Sequence, residues 1–189
     1  MKFFLATITT LLIVFTIIKA SSASTKPQSI HSDKNIYGLS INSIDGKKID
    51  FNNFKNKKIL IVNTASKCGF TNQFENLQNI SNQYNDKVVV IGVPSNDFLG
   101  QEPLENNEIT DFCQENYGVT FLMTEKVHVK GSKAHDLFKF LSKKELNGWN
   151  DSWPSWNFNK YLIDENGLLV EHFGSMVNPE STKITNYFQ

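Results

Sequence analysis

Apolar and polar residues alternate along this chain with periods that change from segment to segment. Residues 59–62 form an unbroken β-branched and aliphatic run, the pattern of a buried strand. After Gly69 the spacing becomes helical: Phe74, Leu77 and Tyr84 recur at about one helix face, which predicts a helix over 72–84. Residues 87–93 are again continuously apolar, as in a strand covered on both faces. Strand, helix and strand in that order make a βαβ unit with parallel strands. Upstream, residues 37–44 and 47–51 flank Asp45-Gly46, a strong hairpin signal.

Downstream, residues 94–105 are rich in Pro, Asn, Asp and Gly and predict an irregular loop. Asn106 or Asn107 is a candidate cap for a helix running to about Tyr117, with Gly118 as its stop. A short strand is predicted over 126–130 and a helix over 132–144, with Leu137, Phe138 and Leu141 on its apolar face. A loop over 147–154 follows, then a second hairpin from 158–164 and 168–173 across Glu165-Asn166-Gly167. Residues 179–188 predict a closing helix. A βαβ half followed by a ββα half is the thioredoxin arrangement. The expectation is an α/β, thioredoxin-like fold, with a central mixed β-sheet flanked by helices and an N-terminal β-hairpin.

Composition narrows the function classes. The chain has 189 residues, no net charge, 20% charged and 40% hydrophobic residues. That is ordinary for one globular domain and lacks the basic excess of a nucleic-acid binder. The N-terminus stands apart. Lys2 precedes an apolar run over 3–18, then Lys19 and a small-residue stretch. This predicts a signal peptide over 1–23, cleaved after Ala23, a polar linker over 24–35 and a folded domain over 36–189. The protein is then exported, to a periplasm or into the secretory pathway; the alternative is an uncleaved signal serving as a membrane anchor.

Two cysteines are present, Cys68 and Cys113. In an oxidising compartment the simplest use of such a pair is one structural disulfide. The place of Cys68 suggests chemistry instead. It falls where a strand gives way to a helix, near N–H groups that favour an anion, and the thiolate is the nucleophilic form. Lys67 is an adjacent cation. In a Cys-x-x-Cys redox motif the second cysteine would stand at Thr71, so local dithiol exchange is unavailable. That favours peroxide reduction, in which a sulfenic acid condenses with a second thiol, and Cys113 is the remaining candidate. Further donors can come from 96–101, beyond the carboxyl end of the neighbouring strand, and from Trp156-Asn157. The four histidines, His31, His128, His135 and His172, show no metal-binding spacing.

Five segments together carry a resemblance. They are Asn63-Thr-Ala-Ser-Lys-Cys-Gly-Phe-Thr71, Asn96-Asp-Phe-Leu-Gly-Gln-Glu-Pro103, Phe112-Cys-Gln-Glu-Asn-Tyr-Gly-Val119, Ala134-His135 and Trp156-Asn-Phe-Asn-Lys-Tyr-Leu-Ile-Asp164. In this order they resemble the glutathione peroxidase family, in its cysteine-containing, thioredoxin-dependent branch. The resemblance implies a catalytic tetrad of Cys68, Gln101, Trp156 and Asn157, with Cys113 as resolving cysteine. It implies hydrogen peroxide and organic hydroperoxides, lipid ones included, as substrates. A thioredoxin-like dithiol is the implied reductant, with glutathione as the alternative, and no cofactor or metal is implied. Ser95 stands where many relatives have a third cysteine. Leu122 stands where relatives usually have proline, which suggests a local loop change. The short segment between 134 and 156 is similar to that of monomeric members. Two rivals stay open: a non-catalytic thioredoxin-fold module with a structural 68–113 disulfide, and a disulfide oxidoreductase, against which Thr71 argues.

Overall fold

A computed structural model describes residues 33–189; the expected signal peptide and most of the expected linker lie outside the described residues. Strands β1 (Ser40–Asn42) and β2 (Lys48–Asp50) form the expected hairpin, with Gly46 at φ 82° closing the turn. Glycine is needed there because a Cβ would clash with the backbone at positive φ. The main sheet has five strands: β3 (Lys58–Thr64), β4 (Val88–Pro94), β5 (Leu122–Met123), β6 (Lys160–Ile163) and β7 (Leu169–Phe173). Their spatial order is β5-β4-β3-β6-β7. The β3–β4 and β4–β5 pairs are parallel, and β3–β6 and β6–β7 are antiparallel. This is the mixed sheet that the chain order predicts.

The apolar runs of β3 and β4 are continuous because both faces of the sheet are covered. Ile59 and Ile61 enter one core with the β1–β2 hairpin and helix α3 (Asp136–Ser142). Leu60 and Val62 enter the other with helices α1 (Gln73–Gln83) and α2 (Asn106–Tyr117). Successive strand side chains point to opposite faces, so one run of sequence serves both layers. Phe74 anchors the second core, edge-on to Phe158 at 5.4 Å and tilted on Tyr117 at 5.6 Å.

Several boundaries differ from expectation, each for a local reason. Helix α2 is capped by Glu105, not by Asn106 or Asn107: the Glu105 N–H donates to Glu108 Oε2 at 2.7 Å, half of a capping box. No strand forms over 126–130. There the N–H groups of Lys126 and Val129 donate to Asn106 Oδ1 (3.0 Å) and Asp97 Oδ2 (2.7 Å), and side chains thus replace a ladder partner. The parallel strand is β5 instead, so the Phe121-Leu122 departure falls within a sheet edge rather than a loop. The helix expected from 132 starts at Asp136, where His135 Nδ1 accepts from the Leu137 N–H at 3.2 Å. It stops because Lys143 is extended, and a separate turn, α4 (Lys144–Asn147), follows. The closing helix shrinks to α5 (Thr182–Thr185) and a 3-10 turn at Asn186–Phe188.

Candidate active site

Three loops meet beyond the carboxyl end of β3, each held to the next by hydrogen bonds. The first follows β3 and carries Cys68. Thr71 shapes it: Thr71 N–H donates to Cys68 O at 3.1 Å, and the Cys68 N–H donates to Thr71 Oγ1 at 3.0 Å. The residue that replaces a second cysteine is therefore the brace of the first. Cys68 is 9% exposed, and the N–H of Phe70 points to its sulfur at 3.5 Å. Helix α1 begins only at Gln73, so a turn before the helix, and not the helix end itself, supplies the nearest donor.

The second loop follows β4. Leu99 and Gly100 both take positive φ (53° and 68°), which folds the chain back so that Gln101 O accepts from the Lys67 N–H at 2.9 Å. A left-handed leucine is unfavourable by about 1–2 kcal/mol and persists where its surroundings over-determine it. Glu102 supplies that restraint. Fully buried, its Oε2 accepts from both the N–H and the hydroxyl of Ser66 at 2.9 Å. Burial raises the Glu102 pKa, and the Ser66 bonds oppose that rise. Gln101 and Glu102 are thus tied to the two residues preceding Cys68.

The third loop carries Trp156 and Asn157 into β6, and Asn63 at the end of β3 fixes its path. Asn63 Nδ2 donates to Trp156 O at 2.9 Å, and Asn63 Oδ1 accepts from the Asn159 N–H at 3.0 Å. The Phe158 N–H donates to Asn63 O at 2.6 Å, with Phe158 at φ 61°. That left-handed residue is why β6 starts at Lys160 and not at 158. The result is a direct contact between two residues of the tetrad that the resemblance implies: Asn157 Nδ2 donates to Gln101 Oε1 at 2.9 Å. Asn157 is fully buried, and its Oδ1 has no partner among the described residues. Trp156 packs on Phe98 at 5.6 Å and lines an apolar cavity of about 400 Å³ with Phe70, Met176 and Val177. Phe70 borders both that cavity and the Cys68 sulfur.

Cys113 lies in mid-α2, 2% exposed, within the same apolar cluster as Cys68. Both thiols are free in this structure. Burial, followed by the negative Glu102, pushes the Cys113 thiol up to about 12. It is therefore an inert thiol while α2 is intact. The helix ends soon after, at Gly118 in the left-handed conformation (φ 61°). Cys113 also lines a cavity of about 200 Å³ together with Thr110, Ile44, Phe121 and Met123.

Ser175, Asn159 and Lys160, to which no sequence motif assigns a role, bond to one another beneath the third loop. Lys160 is fully buried, its Nζ donating to Ser175 O (3.2 Å) and Val177 O (2.7 Å), and burial pulls its ammonium down to about 7. A signal was available. Asn and Lys interrupt an otherwise apolar strand, and buried polar residues are the informative exceptions to hydrophobic burial. Among the described residues no cluster of three or more His, Cys, Asp or Glu could hold a metal.

The glutathione peroxidase family model matches residues 36–142, more than half of the chain and two of the three loops. The chain belongs to the glutathione peroxidase family. As a member it is a peroxidase. A glutathione peroxidase of Lactococcus lactis is 44% identical over 147 residues, 77% of this chain and 93% of the relative. A hydroperoxy fatty acid reductase of Synechocystis is 43% identical over 157 residues, 79% of this chain and 92% of that one. A glutathione peroxidase-like peroxiredoxin of Saccharomyces cerevisiae is 41% identical, covering 77% and 90% of the two chains. The fold is similar to the crystal structure of Trgpx in apo form, with a TM-score of 0.61, 32% identity, and coverage of 80% and 94%. A thioredoxin-family thiol:disulfide interchange protein of Chlorobium tepidum, 13% identical with a TM-score of 0.55, shares the thioredoxin-like fold.

Proposed function

We propose that Cys68 is the peroxidatic residue of a thiol peroxidase that reduces hydrogen peroxide and organic hydroperoxides and is recycled by a thioredoxin-like dithiol. The observation that carries this reading is the Asn157–Gln101 hydrogen bond, which joins two of the three loops around Cys68. The Cys68 thiolate attacks the distal oxygen of the hydroperoxide. The O–O bond breaks, the leaving oxygen takes a proton and departs as water or an alcohol, and Cys68 becomes a sulfenic acid. Gln101, Trp156 and Asn157 act as preplaced polar groups for the charge that develops in this step. Cys113 then attacks the Cys68 sulfur, water leaves, and a 68–113 disulfide forms. That step needs α2 to open, since Cys113 is buried and protonated in the closed helix. The dithiol partner reduces the disulfide by exchange at Cys68, the more exposed of the two residues in the reduced protein.

The names of the relatives support both parts of the cycle. The Synechocystis relative is a reductase of hydroperoxy fatty acids, and the yeast relative is a peroxiredoxin. The apolar cavity beside Trp156 suits an organic hydroperoxide. We further propose that the protein is exported, acts as a monomer, and meets its reductant outside the cytosol. Peroxide turnover with a thioredoxin-type reductant, compared among wild type, Cys68→Ser and Cys113→Ser, tests the cycle. Activity is expected to vanish in Cys68→Ser. In Cys113→Ser one equivalent of peroxide is consumed and thioredoxin-linked turnover stops. Full activity in Cys68→Ser would end the proposal, and sustained turnover in Cys113→Ser would remove the resolving role.

A further inference from the structure

The backbone carbonyls of Trp156 and Asn157 are both turned into the protein, where each needs a donor. Trp156 O has two, Asn63 Nδ2 and Asn159 Nδ2, each at 2.9 Å. Asn157 O has the Ser175 hydroxyl, at 2.5 Å. A carbonyl can only accept, so the single Ser175 proton is committed to it. The Ser175 oxygen in turn accepts from Asn159 Nδ2 at 3.0 Å. Asn159 thereby spends both amide protons, and its Oδ1 accepts from His172 Nε2 at 2.9 Å, which assigns the imidazole proton to Nε2. The His172 ring is stacked flat on Tyr161, 4.3 Å between centroids.

Ser175 is itself anchored from below. Its carbonyl accepts from Gln73 Nε2 at 2.8 Å and from the Lys160 ammonium at 3.2 Å. Gln73 is the first residue of α1, the helix that follows the Cys68 loop. One buried serine thus connects the Asn157 carbonyl, the start of α1 and the only lysine in β6. Its loop, from Gly174 to Val177, borders the apolar cavity beside Trp156.

We propose that Ser175 is a positioning residue for the peroxidase reaction, clamping the Asn157 carbonyl so that the Asn157 side chain stays directed at Gln101. The inference rests on the role proposed for Asn157 in the preceding section. Without the hydroxyl, Asn157 O is a buried acceptor with no donor. The 157–158 peptide then rotates to find one. The Phe158 N–H bond to Asn63 O at 2.6 Å resists that rotation, and relief of the left-handed Phe158 backbone offsets part of its loss. Rotation carries the Asn157 amide away from Gln101, and misplacement of a polar group at a reacting centre lowers the rate.

A double-mutant cycle tests this, read as the second-order rate constant for oxidation of the reduced protein by hydrogen peroxide, with a thermal melt confirming that each variant is folded. Ser175→Ala is expected to slow oxidation about five- to twentyfold, and Ser175→Thr, which keeps the hydroxyl, to stay within about twofold of wild type. In an Asn157→Ala background, adding Ser175→Ala should change the rate less than about twofold, because the side chain it positions is gone. A purely structural serine would lower the melting temperature and leave the rate of the folded molecules untouched. A wild-type rate in Ser175→Ala beside a slow Asn157→Ala would overturn the positioning role alone, as would Ser175→Thr matching Ser175→Ala. Equal losses from Ser175→Ala in both backgrounds would overturn it as well. A wild-type rate in Asn157→Ala would overturn the assignment on which it rests.

Discussion

Asn63→Ala is the sharpest test of how the third loop is held. Asn63 is fully buried at the end of β3 and makes two side-chain bonds to the Trp156–Asn159 segment. The two partners fare differently when the amide is removed. Trp156 O keeps its bond from Asn159 Nδ2. The Asn159 N–H, in a residue only 1% exposed, loses its Oδ1 acceptor. An orphaned buried donor costs about 1–3 kcal/mol, and the small void left by the amide adds roughly 1 kcal/mol. The sum is about 2–4 kcal/mol, which for a domain of this size lowers the melting temperature by roughly 5–15 °C. Calorimetry or circular dichroism measures the stability. Stopped-flow oxidation by hydrogen peroxide measures the function, with an expected loss of about ten- to a hundredfold as Trp156 and Asn157 move off their positions. A melting temperature within about 2 °C of wild type would refute the account of Asn63 as the organiser of this loop. A large stability loss with an unchanged oxidation rate would show instead that Trp156 and Asn157 are held without it.

Acid should destabilise the fold through His172. Burial lowers its pKa from 6.5 to about 4, so the folded state binds fewer protons than the unfolded chain between those values, and stability is lost as pH falls from about 6.5 towards 4. The ceiling is about 3 kcal/mol; His135, also lowered by burial, adds in the same direction, and denaturant melts of His172→Gln should show a shallower pH slope. In the reduced native protein, iodoacetamide at pH 8 is expected to label Cys68 and spare Cys113, read by peptide mass spectrometry; equal labelling would contradict a closed α2. Gly118→Ala places a side chain at φ 61° and should cost about 1 kcal/mol in a denaturant melt while leaving Cys68 oxidation by peroxide unchanged.

The sequence alone determined the layer order of this protein and its family, and it pointed to the candidate residues for its chemistry. Continuous apolar runs at β3 and β4 with a helical period between them leave little alternative to a parallel βαβ unit. A cysteine at its turn without a Cys-x-x-Cys partner separates peroxide chemistry from exchange. These features were legible because they are local: period, turn type and motif spacing are properties of neighbouring residues. The cap moves from Asn106 or Asn107 to Glu105 through a local capping box with Glu108, whereas the strand over 126–130 fails because the Lys126 and Val129 N–H groups are satisfied by the distant side chains of Asn106 and Asp97. Only the tertiary structure decided how the site is held. Asn63, Asn159 and Lys160 look like polar interruptions of apolar segments, and Glu102 and Ser175 like ordinary loop residues, until folding brings three distant loops together. Burial then removes water as a partner, and each polar group must bond to whichever distant group the fold supplies.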